Sequence, residues 1–161
     1  MNWQTLFEMQ KDLDSYILAQ HDLKNENVFD KKVLALLVEV GELANETRCF
    51  KYWSLKPASG KEVIAEEYVD GIHFILSLGL ELGINEYAPK VKENEQDLTT
   101  LFHHVFQSIT TLKGEQTLAA YYNVFDTYVT LGQKLGFSSE DIKNAYVDKN
   151  KVNYERQNQG Y

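Results

Sequence analysis

Residues 61–82 read KEVIAEEYVDGIHFILSLGLEL, a stretch in which Ile64, Tyr68, Ile72, Ile75 and Gly79 recur at helical intervals. That period puts them on one stripe of an α-helix. Glu67 and Asp70 fall together beside the stripe, and Phe74, one turn past Asp70, lies on their side. The preceding helical segment repeats the arrangement. From a cap at Asp30 to an end near Lys51, its apolar stripe is Val33, Leu36, Leu37, Val40, Leu43 and Ala44, with Glu39, Glu42 and Glu46 away from the centre. Two acidic pairs, Glu39-x-x-Glu42 and Glu67-x-x-Asp70, therefore share i,i+3 spacing on neighbouring helices. If those helices lie antiparallel, four carboxylates can be aimed at one spot.

Further helices extend outward from this centre. Leu6, Leu13, Ile17 and Leu18 predict a helix from Trp3 to about Ala19, broken by the polar stretch from His21 to Asn27. Trp53, Pro57, Ser59 and Gly60 mark a connection over residues 52–60. After Gly83 and Asn85, two helices are expected over 86–112 and 115–135, separated by Lys113-Gly114 and closed by Gly136. Ser138-Ser139-Glu140-Asp141 has the chemistry of a capping box opening a last helix. With two prolines and nine glycines in 161 residues, the expectation is an all-α bundle of five to six helices forming a single domain over 1–161.

Charge narrows the function. Sixteen basic against 24 acidic residues give a net charge of -8, which opposes binding to a nucleic-acid backbone. A nucleotide is still compatible, because a cation-filled acidic cluster reverses the local field. No apolar run reaches membrane-spanning length, and MNWQTLFEMQ has neither a basic start nor an apolar core, so no membrane association and a cytoplasmic location are expected. The single cysteine, Cys49, reads as a half-buried thiol.

The bland reading of the acidic pairs is a solvated helix face. Such faces usually carry Lys at i+4, whereas Leu43, Glu46, Gly71 and Phe74 occupy those positions here. An all-oxygen donor set suits Mg²⁺ better than zinc. His73 points away from Glu67 and Asp70 on the helical wheel, and His103-His104 are adjacent rather than on one face. The aromatic set Tyr121, Tyr122, Phe125 and Tyr128 fits either a core or a dimer interface.

Glu39-x-x-Glu42, Lys51-Tyr52-Trp53 and Glu67-x-x-Asp70 followed by His73-Phe74 resemble the dimeric all-α dUTP diphosphatases, a branch of the MazG-like nucleotide pyrophosphohydrolases. Residues 146–161, with Tyr146, Lys149-Asn150, Asn153, Arg156-Gln157 and Gly160-Tyr161, are similar to the signature that closes the active site in that branch. The acidic pairs fit any member of the superfamily, and this C-terminal run points to the dUTPase branch.

The resemblance implies a homodimer that converts dUTP to dUMP and diphosphate with Mg²⁺ held by Glu39, Glu42, Glu67 and Asp70. It implies that Asp70 also reaches the sugar 3′-hydroxyl, that Phe74 packs under the deoxyribose, and that Gln10 and Trp53 frame the uracil. Lys149, Asn153, Arg156 and Tyr161 would hold the phosphates. It further implies attack at the β-phosphorus with Glu42 as base, although the residues alone do not separate Glu42 from Glu39. Two departures stand out: Asp14 occupies a base-contacting position where the family pattern has Asn, and the pattern's further basic residue after Gly-Tyr has no counterpart here. Asp14 leaves open a related enzyme preferring dCTP or nucleoside triphosphates broadly. The acidic helices alone would also fit a non-catalytic helical interaction protein.

Overall fold

A computed structural model describes residues 2–23 and 26–160. Six helices follow in order: α1 Trp3–Gln20, α2 Phe29–Thr47, α3 Lys61–Glu81, α4 Leu98–Glu115, α5 Leu118–Lys134 and α6 Ser139–Asn158. Among the described residues there is no strand, and no helix is long and apolar enough to cross a membrane.

α3 is the central helix, packed against α1, α2, α5 and α6. This explains why residues 68–79 are buried almost all round, with only Asp70 and Phe74 half-exposed, although the stripe accounts for one face alone. Tyr68 on α3 and Tyr128 on α5 stack at 4.6 Å. Each hydroxyl donates to the other residue's backbone carbonyl, at 3.1 and 2.6 Å. The clasp needs glycine beneath each ring: Gly71 lies under Tyr128 and Gly132 under Tyr68. Tyr121, Phe125 and Tyr128 are fully buried, so these three belong to the core, while half-buried Tyr122 stacks on Tyr87 at 4.2 Å.

Several boundaries differ from the sequence expectation. α2 starts at Phe29 because Asn27 Oδ1 accepts from the Phe29 amide at 3.0 Å, leaving Asp30 in the first turn, where its charge favours the helix dipole. It stops at Thr47, short of Lys51, since Arg48 turns left-handed (φ 57°) and its guanidinium ties down the next loop through Ser54 Oγ and Lys56 O. Residues 86–97, expected as helix, form an irregular strap. Pro89 lacks an amide donor and disfavours helical backbone at Ala88. The strap is bound to α5 instead: Asp126 Oδ1 accepts from Tyr87 Oη and Lys90 N, both at 2.8 Å, and Thr130 Oγ1 accepts from Lys92 N at 2.9 Å. α4 begins where Asp97 accepts from Thr100 N and runs through Lys113-Gly114. The break comes at left-handed Gln116, after which Thr117 caps α5.

Ser138 and Asp141 form the expected capping box. Beyond it, the polar C-terminal run remains helical to Asn158 because α1 receives it. Tyr16 Oη donates to Asn158 Oδ1, the Tyr16 and Tyr154 rings lie 5.2 Å apart, and His21 Nε2 pairs with Gln157 Oε1 at 2.7 Å.

Candidate active site

The antiparallel contact of α2 with α3 brings the two acidic pairs together. Ligand oxygens of Glu39, Glu67 and Asp70 lie within 4.8 Å of one another. Glu42 is exposed and outside that set of three, but close enough to Glu39 and Glu67 to share hydrogen bonds with both when a proton is present. Glu39 Oε2 and Glu67 Oε2 are buried without a hydrogen-bond partner. Orphaned acceptors of this kind, converging with like charge, are a donor set for a hard cation.

Desolvation, followed by repulsion from neighbouring carboxylates, pushes Glu39 up to about 8 and Glu67 up to about 7. Asp70 is raised by desolvation, against the lowering pull of Lys149. The folded cation-free cluster therefore binds more protons than the unfolded chain. Its stabilising share is present in acid and is lost as pH rises from about 4.5 through 7 to 8. Scanning calorimetry without divalent cations should show the melting temperature falling by several degrees over that window, and added Mg²⁺ should recover most of the loss at pH 8 but little at pH 5.

From this cluster a cavity of about 510 Å³ runs along α3 between α1, α2 and α6. Asp70, Phe74 and Ser77 follow one another along its α3 wall, spanning roughly 10 Å at the helical rise. The cavity is graded along that axis. At the carboxylate end, Glu39 and Asp70 face Lys149, Asn153 and Arg156 from α6. At the other end, Leu13, Ile17, Leu18 and Val28 make an apolar wall around a polar floor. On that floor Gln10 Nε2 donates to Asp14 Oδ1 at 2.9 Å, and Ser77 Oγ donates to Asp14 Oδ2 at 2.7 Å. Both Asp14 oxygens are thus engaged by protein donors. Burial raises its carboxyl, opposed chiefly by Lys32, whose ammonium is 3.9 Å away.

Of the residues singled out in the sequence, Gln10, Asp14, Glu39, Asp70, Phe74, Lys149, Asn153 and Arg156 line the cavity. Glu42 and Glu67 do not line it and neighbour Glu39 and Asp70, which do. Trp53 does not line it: the ring is exposed in the α2–α3 loop, edge-on to Tyr52 at 5.2 Å. Tyr161 lies outside the described residues.

Sequence reasoning missed Lys32, Ser77 and His73 as cavity residues. His73 turns away from the carboxylates as the wheel indicates, but toward Gln10. Its Nδ1 pairs with Gln10 Oε1 at 2.6 Å, its ring stacks on Tyr146 at 4.1 Å, and Tyr146 Oη donates to the same Gln10 oxygen at 2.8 Å. Desolvation first, then Lys149, hold His73 down to about 3, so it is a neutral brace. The almost unbroken apolar run from Gly71 to Leu80 is the signal that its histidine and serine would be buried.

A nucleotide-sized cavity that joins a carboxylate cluster, faced by Lys149, to an apolar wall around a polar floor where Lys32 approaches Asp14 defines a helical nucleotide hydrolase. The sequence profile of the dUTPase family (dUTPase_2) matches residues 2–161, and the chain belongs to that family. It is a dUTP diphosphatase, a hydrolase. A comparison with curated proteins returned no match to this chain.

Proposed function

We propose that the chain, folded as one catalytic unit over 1–161, hydrolyses dUTP to dUMP and diphosphate in the cytoplasm with Mg²⁺ held by Glu39, Glu42, Glu67 and Asp70. The observation that carries this reading is the order along α3: carboxylates, aromatic ring, polar floor, matching phosphates, sugar and base. The orphaned oxygens of Glu39 and Glu67 fit a hard cation, which when bound would offset charge on the triphosphate.

Phe74 packs under the deoxyribose and Asp70 reaches its 3′-hydroxyl. Lys149, Asn153 and Arg156, with Tyr161, hold the phosphates. Glu42, at the solvent side of the cluster, takes the proton from the water that attacks the β-phosphorus. The bond from that phosphorus to the α–β bridging oxygen breaks, and dUMP leaves with the oxygen. Asp14 acts on the base through Gln10, whose amide it orients, because its own oxygens are already engaged.

A homodimer is the assembly we propose. Leu34 and Val38, one turn apart on α2, and Trp53 and Leu55 in the following loop leave large apolar side chains exposed. A second copy covering this surface would place Trp53 where it can frame the uracil.

Purified protein with Mg²⁺ is expected to release diphosphate from dUTP with a kcat/KM at least tenfold above that for dCTP, dTTP or UTP, and to lose activity in EDTA. It should sediment at twice 18.6 kDa. Absence of diphosphate release from dUTP would sink the proposal, and a preference for dCTP would transfer it to the related enzyme that Asp14 leaves open.

A further inference from the structure

Lys149, proposed above as a phosphate-gripping residue, is not waiting in solvent. Its side chain is 9% exposed, and its ammonium lies 3.2 Å from Asp70 Oδ1 and 3.0 Å from Glu66 Oε1. Asp70 is one of the three carboxylates whose oxygens converge for a cation. Glu66, which is not in that cluster, holds the lysine from the outer side and is itself more than half exposed. The chain therefore places one of its own cations against a cation ligand, with an anchor that does not share that duty.

We propose that the Lys149–Asp70 ion pair is an internal lock: Lys149 competes with the divalent cation for Asp70, and cation binding hands the lysine over to the phosphates. The inference rests on the cation role given to Asp70 above. A divalent ion at Asp70 repels the ammonium at close range in a partly desolvated site. Glu66 then keeps the displaced lysine tethered beside the cavity that Lys149 lines. Before that exchange the lysine has two of its three donors committed to carboxylates. Cation and nucleotide consequently strengthen each other's binding, and linkage makes the coupling reciprocal.

The test uses Mn²⁺ alone as probe, with binding followed by electron paramagnetic resonance on the full chain. Lys149→Met is expected to bind Mn²⁺ about tenfold more tightly than wild type without nucleotide, a coupling of ordinary size. Glu66→Gln, which keeps the Lys149–Asp70 pair, should not bind it more tightly. Adding a non-hydrolysable dUTP analogue should tighten Mn²⁺ binding more in wild type than in Lys149→Met. In wild-type protein, which needs no folding control, labelling of Lys149 by an amine-selective reagent should rise on adding Mn²⁺. Equal or weaker Mn²⁺ binding by Lys149→Met, or unchanged labelling, overturns the lock while leaving the cation site standing. Failure of both proteins to bind Mn²⁺ overturns the lock together with the cation reading.

Discussion

Glu67→Gln is expected to abolish dUTP hydrolysis while making the cation-free protein more stable. Glu67 sits in a cluster where desolvation and the charges of Asp70 and Glu42 push it up to about 7, and its Oε2 is buried with no partner. Gln keeps the shape and removes a charge that the folded protein tolerates poorly. At pH 8 the variant should melt above wild type in EDTA, and the difference should vanish near pH 5, where the wild-type cluster is already protonated. Mg²⁺ should stabilise wild type and leave the variant largely unmoved. Glu42→Gln should lower kcat roughly 10²- to 10⁴-fold, the range for loss of a general base. Steady-state kinetics paired with calorimetry would check both, and full activity in the Glu42→Gln, Glu67→Gln double variant would refute the assignment. A cluster whose loss costs activity and adds stability is a functional one.

Gly71→Ala is expected to be the most destabilising small substitution in α3. A β-carbon there would lie 2.6 Å from Tyr128 Cζ and closer still to its hydroxyl. Tyr128 has no room to yield, since it is fully buried, stacked on Tyr68 at 4.6 Å and bonded to the Tyr68 carbonyl at 2.6 Å. Overpacking costs about 1–3 kcal/mol or more, and losing a buried hydrogen bond adds roughly 1–3 kcal/mol. For a chain of this size the sum corresponds to a fall of about 10 °C in melting temperature. A change below about 2 °C would show that the α3–α5 clasp is softer than its geometry indicates. Because Gly71 adjoins Asp70, activity should fall as well. Gly41→Ala, where an added β-carbon meets nothing within 4 Å, provides the control.

Much of the bundle can be read without the structure. Helical periodicity located α1, α2, α3 and α5 to within a few residues, and the Ser138–Asp141 box located the start of α6. Periodicity failed at residues 86–97 because polar residues carry little pattern and the strap's stability comes from α5, through Asp126 and Thr130. It also underrated the end of α6, whose polar sequence has no apolar stripe to reveal that Tyr16 on α1 and His21 just past its end receive it.

For the site, the amino-acid order alone determined that each carboxylate pair shares one side of one turn of its own helix, because i,i+3 spacing acts within one helix and needs no knowledge of the rest; the packing of α2 on α3 brought the pairs together. The order also supplied the cations of α6 and the aromatic ring at Phe74. Only the tertiary structure decided that Lys149 rests against Asp70, that Asp14 spends both oxygens on Gln10 and Ser77, that His73 is a buried brace, and that Trp53 stands outside the cavity. Each of these depends on contacts between residues distant in the chain. Those contacts follow from how α1, α2 and α6 pack around α3, and local spacing carries no record of that packing.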